Sequence, residues 1–246
     1  MSNDEGSISV EIRDRILLMG FNRPEKYNGI TPKMSAELVS AYTQLDEDDD
    51  LRVGVLFGHG DHFTAGLDLP KWTERMKRDD RSSSKENSKV DPFGFGRSCR
   101  KPIVTAVQGI TYTFGIEVAL AGDIVIAAND CRFSQLEPAR GIHATGGATF
   151  RFVERGGWGN AMYHLLTCDE FDAAEALRVG IVQEVVPVGM QLERAIEIAQ
   201  RVSEMAPLAI QETKASARRW VHEGADACIE ALAPTQAELM ATEDAK

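Results

Sequence analysis

The sequence predicts an α/β fold in which a largely parallel sheet is covered by helices on both faces. Three short runs, "VGVLFG" (53–58), "PIVTAV" (102–107) and "DIVIAA" (123–128), are apolar or small at nearly every position. Strands that are buried on both faces have this composition. Stretches with helical spacing of apolar residues separate the runs, and the last quarter of the chain is helical. This alternation favours parallel strands joined by helices.

Local signals predict the amino-terminal elements. "ISVEI" and "RILLMGF" are typical of two strands joined by a tight turn. Thr31 followed by Pro32 predicts a helix start, because Thr caps free N–H groups and Pro suits the first turn. The helix presents one apolar face: Met34, Leu38, Tyr42 and Leu45. The acidic run 46–50 ends it, and a solvated acidic loop is favoured there over a metal site.

The remaining elements are predicted in the same way. Residues 71–89 are rich in Lys, Arg and Ser, which favours a polar connection over a phosphate-binding loop. The aromatic and glycine-rich "DPFGFG" (91–96) predicts a lid. Asp172 predicts the N-cap of a helix that ends at Gly180. An amphipathic helix follows in "QLERAIEIAQRVSEMAP", and two further helices close the chain.

Composition excludes several classes of function. The net charge of −11 over 246 residues disfavours nucleic acid as a partner. The four cysteines are widely spaced, which is typical of reduced thiols, and His59 and His62 have no third ligand at a useful spacing, so no metal is expected. We find no apolar run of about 20 residues and no secretory signal. We therefore expect a cytoplasmic protein without a membrane partner.

Two carboxylates stand in apolar surroundings. Glu117 is the single charge between Thr113 and Gly122, and Glu137 follows in "CRFSQLEPARGI". Burial raises the pKa of a carboxyl, and paired carboxylates of this kind suit general acid/base chemistry. The alternatives are a salt bridge from Glu117 to a residue such as Arg140 and a surface position for Glu137.

Two further stretches, "HFTAGLDL" and "YTFGIE", pass from a strand to a helix. Such passages leave backbone N–H groups unpaired. Two of these groups converging on one point would form an oxyanion hole. In the alternative interpretation, Gly66 and Gly115 are simple turn residues.

The segments together resemble the crotonase superfamily of enoyl-CoA hydratases and isomerases. The resemblance lies in "NRPEKYNGI", "HFTAGLDL", "KPIVTAVQGITYTFGIEVALAGDIVIAAND", "RFSQLEPARGI" and "LLTCDEFDAAEALRVGIVQEVVP". These occur in the order of the family and span nearly the whole chain. The resemblance implies a spiral of ββα units over residues 1–187. Residues 188–246 would form a helical region that builds homotrimers or hexamers.

The resemblance also implies residue roles. Glu117 would activate water, Glu137 would supply a proton at C2, and the N–H groups of Leu67 and Phe114 would form the oxyanion hole. Further substrate and coenzyme A contacts would come from Lys26, Asn28, Ala65, Gly66, Asp68, Leu69 and Gly115. Coenzyme A is then part of the acyl-CoA substrate, and no separate cofactor is expected.

The implied activity is hydration of the 2,3 double bond of an acyl-CoA thioester. The alternatives are isomerisation or another acyl-CoA reaction, and a non-catalytic acyl-CoA-binding protein. Phe114 departs from the hydratase pattern, which has glycine at this position, and the change bears on the size of the acyl group.

Overall fold

The computed structural model describes residues 5–77 and 88–245. The strands are β1 (Ser7–Arg13), β2 (Ile16–Asn22), β3 (Val53–Gly58), β4 (Ile103–Val107), β5 (Ile110–Tyr112), β6 (Ile124–Ala128), β7 (Arg132–Ser134), β8 (Phe171–Asp172) and β9 (Glu184–Val186). The helices are α1 (Pro32–Glu47), α2 (Leu69–Lys77), α3 (Phe114–Ala121), α4 (Ala148–Thr167), α5 (Ala173–Arg178), α6 (Gln191–Ser203), α7 (Pro207–Glu223) and α8 (Ala225–Met240). Short 3-10 helices lie at Pro24–Lys26, Pro138–Arg140 and Glu243–Ala245.

The strands form two sheets, and from β4 to β7 the chain alternates between them. The larger sheet has the order β1-β2-β3-β4-β6-β9, and all its pairs are parallel except the β1–β2 hairpin. The smaller sheet has the order β5-β7-β8. The chain passes from β4 to β5 and then into α3, and from β6 to β7 and on toward α4. Each passage is one ββα turn of a spiral, which confirms the predicted fold class.

The central strands are buried on both faces, as their composition predicts. On one face, Leu17, Met19 and Val107 join the main hydrophobic core with residues of α1. On the other face, Leu18, Val55 and Val104 pack against α6. That helix contributes two small buried residues, Ala195 and Ala199, which allow it to lie close to the sheet.

The predicted helix starts are confirmed at two positions. The Thr31 hydroxyl accepts a hydrogen bond from the Met34 N–H at 3.2 Å, at the start of α1. The Asp172 carboxylate accepts one from the Glu175 N–H at 2.8 Å, at the start of α5. Each satisfies an N–H that the helix itself cannot.

Two predictions for the polar segments need correction. Residues 71–77 of the predicted polar connection belong to helix α2, and residues 78–87 lie outside the described residues. Asp46 is not in a solvated loop: it lies within α1 and is 0 % exposed. Its carboxylate pairs with Arg97 at 2.8 Å and Arg100 at 3.2 Å and accepts the Arg100 N–H at 2.7 Å. Asp46 therefore anchors the segment 88–101 on α1.

None of the helices that the structure describes has the length and apolar character needed to cross a bilayer. In the same part of the chain, no three His, Cys, Asp or Glu side chains are grouped so that they could hold a metal ion. The four cysteines are all free thiols.

We predict that the Asp46→Asn substitution lowers stability in a pH-dependent way. Burial alone would raise the pKa of Asp46, but the hydrogen bonds from Arg100 and Arg97 outweigh it and hold the pKa below its usual value. Because the folded pKa is depressed, this stabilisation is present above the unfolded pKa of about 3.9 and is lost as the pH falls through the folded pKa. Urea unfolding should show a loss of about 2 kcal/mol at neutral pH.

The loss should shrink progressively below about pH 4, because the unfolded chain then takes up a proton at this carboxyl, and it should vanish once the pH has fallen through the lower folded pKa. Asp49→Asn, at an exposed position of the same acidic run, is the matched control and should change little. An equal loss for Asp46→Asn at all pH values would contradict the ion-pair explanation.

Candidate active site

Two chain segments run side by side, and each leads into a helix. Thr64 pairs with Thr111 in a parallel bridge. The Thr64 N–H donates to the Ile110 carbonyl at 3.1 Å, and the Tyr112 N–H donates to the Thr64 carbonyl at 3.0 Å. The first segment continues into α2 and the second into α3. The "HFTAGLDL" and "YTFGIE" stretches therefore lie together at the same edge of the fold.

The turns into these helices have backbone conformations that few residues adopt. Gly66 has φ +102°, and Thr113 has φ +49° and ψ −110°. A Cβ on Gly66 would overlap the Thr113 hydroxyl, so only glycine fits there. The Thr113 N–H donates to the Ser134 carbonyl at 3.0 Å, which helps to hold the strained turn in place.

These turns leave the N–H groups of Leu67 and Phe114 without an acceptor among the described residues. Ile30 bonds the residues on either side of Leu67, through the Gly66 carbonyl at 2.9 Å and the Asp68 N–H at 3.0 Å. Phe114 is the first residue of α3, where the helix offers its N–H no partner. Two free backbone donors of this kind can bind a carbonyl oxygen.

Both residues line one small cavity of about 60 Å³, which is room for a few water molecules. Its walls are formed by Leu67, Leu69, Thr113, Phe114, Glu117, Glu137, Arg140, Ile142, His143 and Thr145. The structure thus brings together five of the residues singled out in the sequence: Leu67, Leu69, Phe114, Glu117 and Glu137.

Glu117 is stabilised by backbone N–H groups. It is 5 % exposed, and its Oε1 accepts hydrogen bonds from the Gly146 N–H at 2.6 Å and the Ala148 N–H at 3.4 Å. Burial raises the pKa of Glu117, while these N–H groups and the Arg151 charge oppose the rise. Glu117 forms no ion pair among the described residues, and Arg140 lies on the cavity wall. The N-terminus of α4 thus faces a carboxylate, the charge it favours.

Glu137 is more strongly perturbed. It is 8 % exposed, and burial raises its pKa to about 7, to which the nearby Glu117 contributes. Its Oε2 has no hydrogen-bond partner among the described residues. A carboxyl with this pKa is protonated to a large extent at neutral pH and can donate a proton. The surface position considered for Glu137 is therefore wrong.

Other sequence-selected residues build the scaffold around the cavity. The Asn28 amide is buried and donates to the carbonyls of His59 and His62, both at 2.8 Å. Asp68 pairs with Arg23 at 2.7 Å. A Cβ on Gly115 would lie 2.8 Å from Thr64 Cγ2, so glycine lets α3 pack against the segment that contains Thr64.

Two of the selected residues lie toward the surface, outside the cavity walls. Lys26 is exposed at the end of the 3-10 helix Pro24–Lys26. Ala65 is half-buried, and its N–H donates to the Tyr27 carbonyl at 2.9 Å.

Sequence reasoning missed the segment that follows Glu137. Ile142, His143 and Thr145 line the cavity, and Gly146 supplies the shorter hydrogen bond to Glu117. The available signal was the Gly146–Gly147 pair, because adjacent glycines before a helix mark a close backbone approach.

A larger cavity of about 500 Å³ lies elsewhere and contains none of the sequence-selected residues. Its walls are Tyr163, His164, Asp169, Glu170, Phe171 and Glu175. Glu175 is paired with Arg178 and His164, and Glu170 with Arg132. The smaller cavity is the candidate active site, since it combines free donors with two carboxylates of raised pKa.

The chain is similar to known proteins over most of its length. The model of the enoyl-CoA hydratase/isomerase family matches residues 11–246. A crystal structure described as a probable enoyl-CoA hydratase/isomerase from Mycobacterium abscessus superposes with a TM-score of 0.92 at 45% identity, covering 97% of this chain and 92% of that one. An enoyl-CoA hydratase from Mycobacterium tuberculosis H37Rv gives a TM-score of 0.86 at 31% identity, covering 98% and 93%.

A curated relative gives the same result. Enoyl-CoA hydratase EchA19 of Mycobacterium tuberculosis is 33% identical over 210 residues, which cover 85% of this chain and 79% of the relative. The chain belongs to the enoyl-CoA hydratase/isomerase family, within the crotonase superfamily.

Proposed function

We propose that this protein is an enoyl-CoA hydratase that adds water across the 2,3 double bond of an acyl-CoA thioester. The proposal rests on one observation: two buried carboxylates of raised pKa share a cavity with two free backbone N–H groups. Family membership supports the same chemistry. The substrate carries coenzyme A itself, so the reaction needs no further cofactor.

The two N–H groups would bind the thioester oxygen. Hydrogen bonds from Leu67 and Phe114 draw electron density toward that oxygen and make C3 electrophilic. As water attacks C3, the double-bond electrons move toward C2 and the carbonyl, and negative charge collects on the oxygen. Fixed backbone donors stabilise this charge without reorganisation.

The two carboxylates would move the protons. Glu117 accepts a proton from water while the water oxygen bonds to C3. Glu137 then gives its proton to C2, and the thioester carbonyl re-forms. The substrate has gained one hydroxyl and one hydrogen. Glu117 then releases its proton to solvent and Glu137 takes one up from solvent, which restores both groups for the next turnover. The raised pKa values suit both steps, because they make Glu117 a stronger base and keep Glu137 protonated.

The coenzyme A moiety would leave the cavity past Leu69 and the exposed surface near Lys26, with Ala65 on its path. Asn28 and Asp68 would support this path indirectly, because their side chains hold the turn in place.

We predict that Glu117→Gln and Glu137→Gln each lower kcat by about a hundredfold to ten-thousandfold, since each removes one proton-transfer group. In the wild type, kcat/KM should rise with pH as Glu117 loses its proton and fall above about pH 7 as Glu137 loses its own. Glu117→Gln should remove the acid limb and Glu137→Gln the basic limb. The measurement is the hydration of crotonyl-CoA across the pH range.

Glu204→Gln, at an exposed position on the surface, is the control and should leave the profile unchanged. The product masses should be measured by mass spectrometry, because hydration adds the mass of water whereas isomerisation does not. Binding of the thioester without turnover would favour a non-catalytic acyl-CoA-binding protein. Full turnover in both Glu117→Gln and Glu137→Gln would contradict the proposal.

We also propose that Phe114 restricts the enzyme to short acyl groups. Phe114 is 6 % exposed, and its ring packs edge-to-face against Phe93 at 5.3 Å and Phe21 at 6.2 Å. The ring therefore occupies space beside the carboxylates that a glycine would leave open.

We predict that Phe114→Ala increases kcat/KM for octenoyl-CoA relative to crotonyl-CoA, while thermal stability falls because a buried ring is lost. Such truncations cost about 3–5 kcal/mol. Initial rates on the two substrates and thermal unfolding are the measurements. Phe133→Leu controls for loss of stability alone, because the buried Phe133 ring stacks on Phe171 and does not line the cavity. An unchanged substrate ratio in Phe114→Ala would refute the restriction.

We further propose that the helical region 188–246 mediates self-association as a trimer or hexamer, with residues 1–187 forming the catalytic core. Helices α7 and α8 contain no buried residue in the single chain. Large apolar side chains are exposed on both helices: Leu208, Trp220, Val221, Ile229, Leu232 and Met240. Apolar surface of this extent is typical of an interface.

We predict a trimeric or hexameric mass by size-exclusion chromatography with light scattering. The double substitution Trp220→Lys and Ile229→Lys should shift the mass toward the monomer, because charged side chains are depleted at interface cores. The matched control places Lys at Val10 and Ile12, which are exposed on β1. A monomeric wild type would contradict the proposal.

A further inference from the structure

The Arg151 side chain joins two segments that border the candidate active site. One guanidinium nitrogen donates to the Gly146 carbonyl at 2.9 Å, and another donates to the Phe93 carbonyl. The guanidinium lies over the Phe95 ring at 5.2 Å and the Phe150 ring at 5.0 Å. A planar group with several donors and two aromatic contacts has a fixed orientation.

The first of these segments holds Glu117. Gly146 accepts from Arg151 through its carbonyl and donates through its N–H to Glu117. A Cβ on Gly146 would lie 2.6 Å from Glu117 Oε2 and 2.8 Å from the Phe93 ring. The position of this turn therefore determines where the Glu117 carboxylate lies.

The second segment forms an aromatic wall of the site. The Asp91 carboxylate accepts hydrogen bonds from the N–H groups of Phe93, Phe95 and Gly96, which fold the segment into a compact turn. The Phe93 ring then packs edge-to-face on Phe114.

We propose that Arg151 is a positioning residue: by bridging the Phe93 and Gly146 carbonyls, it sets the orientation of Glu117 and holds Phe93 against Phe114. The proposal rests on the proposed function for its effect on catalysis, although the bridge itself can be tested without activity. The sequence gives little signal for this bridge, because both acceptors are backbone carbonyls and Phe93 lies 58 positions before Arg151.

The charges around the bridge decide what its loss does to pH dependence. Glu117 faces Arg151 from α4 and Glu137 from the segment before Pro138–Arg140. Arg140 and His143 line the same cavity. The groups that face Arg151 besides Glu117 are Glu154 on α4, Asp91 on the aromatic segment and Arg218 on α7. Arg151 is thus the positive charge that favours ionised Glu117, and removing it should raise the pKa of that carboxyl.

The test compares Arg151→Met, which removes the charge and the bridge, with Arg151→Lys, which keeps the charge but cannot span both carbonyls in the same plane. Both variants should lower kcat roughly tenfold to a hundredfold, because a displaced catalytic group reacts poorly. KM for crotonyl-CoA should change less. The acid limb of the pH profile should move to higher pH in Arg151→Met and stay near the wild-type position in Arg151→Lys.

Arg155→Met is the matched control. Arg155 lies one turn further along α4, is half-buried like Arg151, and donates to the Leu120 carbonyl at 3.3 Å and the Gly122 carbonyl at 3.0 Å, at the far end of α3. It should reduce stability like Arg151→Met without moving the acid limb.

Hydrogen exchange measured by mass spectrometry gives a readout that does not depend on turnover. Both Arg151 variants should lose protection in residues 91–97 and 145–148, whereas Arg155→Met should retain it there. Wild-type protection in Arg151→Met, or an equal shift of the acid limb in Arg155→Met, would overturn the proposal. If the wild type hydrates no enoyl-CoA, the proposed function fails, and hydrogen exchange still decides whether Arg151 bridges the segments.

Discussion

The structure depends on the placement of an ionisable carboxyl, Glu117, in a helix whose eight residues are all buried. A charge in such surroundings is costly unless donors surround it. The donors are backbone N–H groups at Gly146 and at the first residue of α4. These hydrogen bonds require the N-terminus of α4 to lie against α3, and they require glycine where the two come closest. The Glu117 carboxylate therefore fixes the position of α4 relative to α3.

The other side of the cavity obeys a complementary constraint. Each of two parallel segments ends at a helix start, where backbone N–H groups have no partner within the helix. The bridge between Thr64 and Thr111 brings these two ends together, and the turns at Gly66 and Thr113 direct the chain so that Leu67 and Phe114 reach one cavity. The two carboxyl groups proposed to move protons thus share the cavity with two N–H donors that can bind an anion, and this arrangement follows from the path of the chain.

Sequence reasoning succeeded where the signal is local or repeated. Buried strands show in unbroken apolar runs, and caps such as Thr31 and Asp172 act on residues three positions away. It failed for Asp46, because whether a carboxylate at a helix end is solvated depends on Arg97 and Arg100, about fifty positions further on. The roles of the site residues were predicted from the family resemblance. The part of the cavity wall formed by residues 140–145 could not be predicted, because these residues lie in a loop without a periodic sequence pattern.

Phe114 connects stability with the size of the site. Phe114 lines the cavity and its N–H is a free donor, while its ring completes a core contact with Phe21 and Phe93. A glycine at this position would keep the N–H donor but lose the ring contacts and leave more open space, so exchanging the residue changes both the stability of the core and the size of the site. Arg151 bonds the carbonyls of both Phe93 and Gly146, so one side chain connects the aromatic wall with the turn that binds Glu117. A change in the proposed acyl pocket is therefore also a change in the position of the proposed base, and selectivity and rate should vary together along this wall.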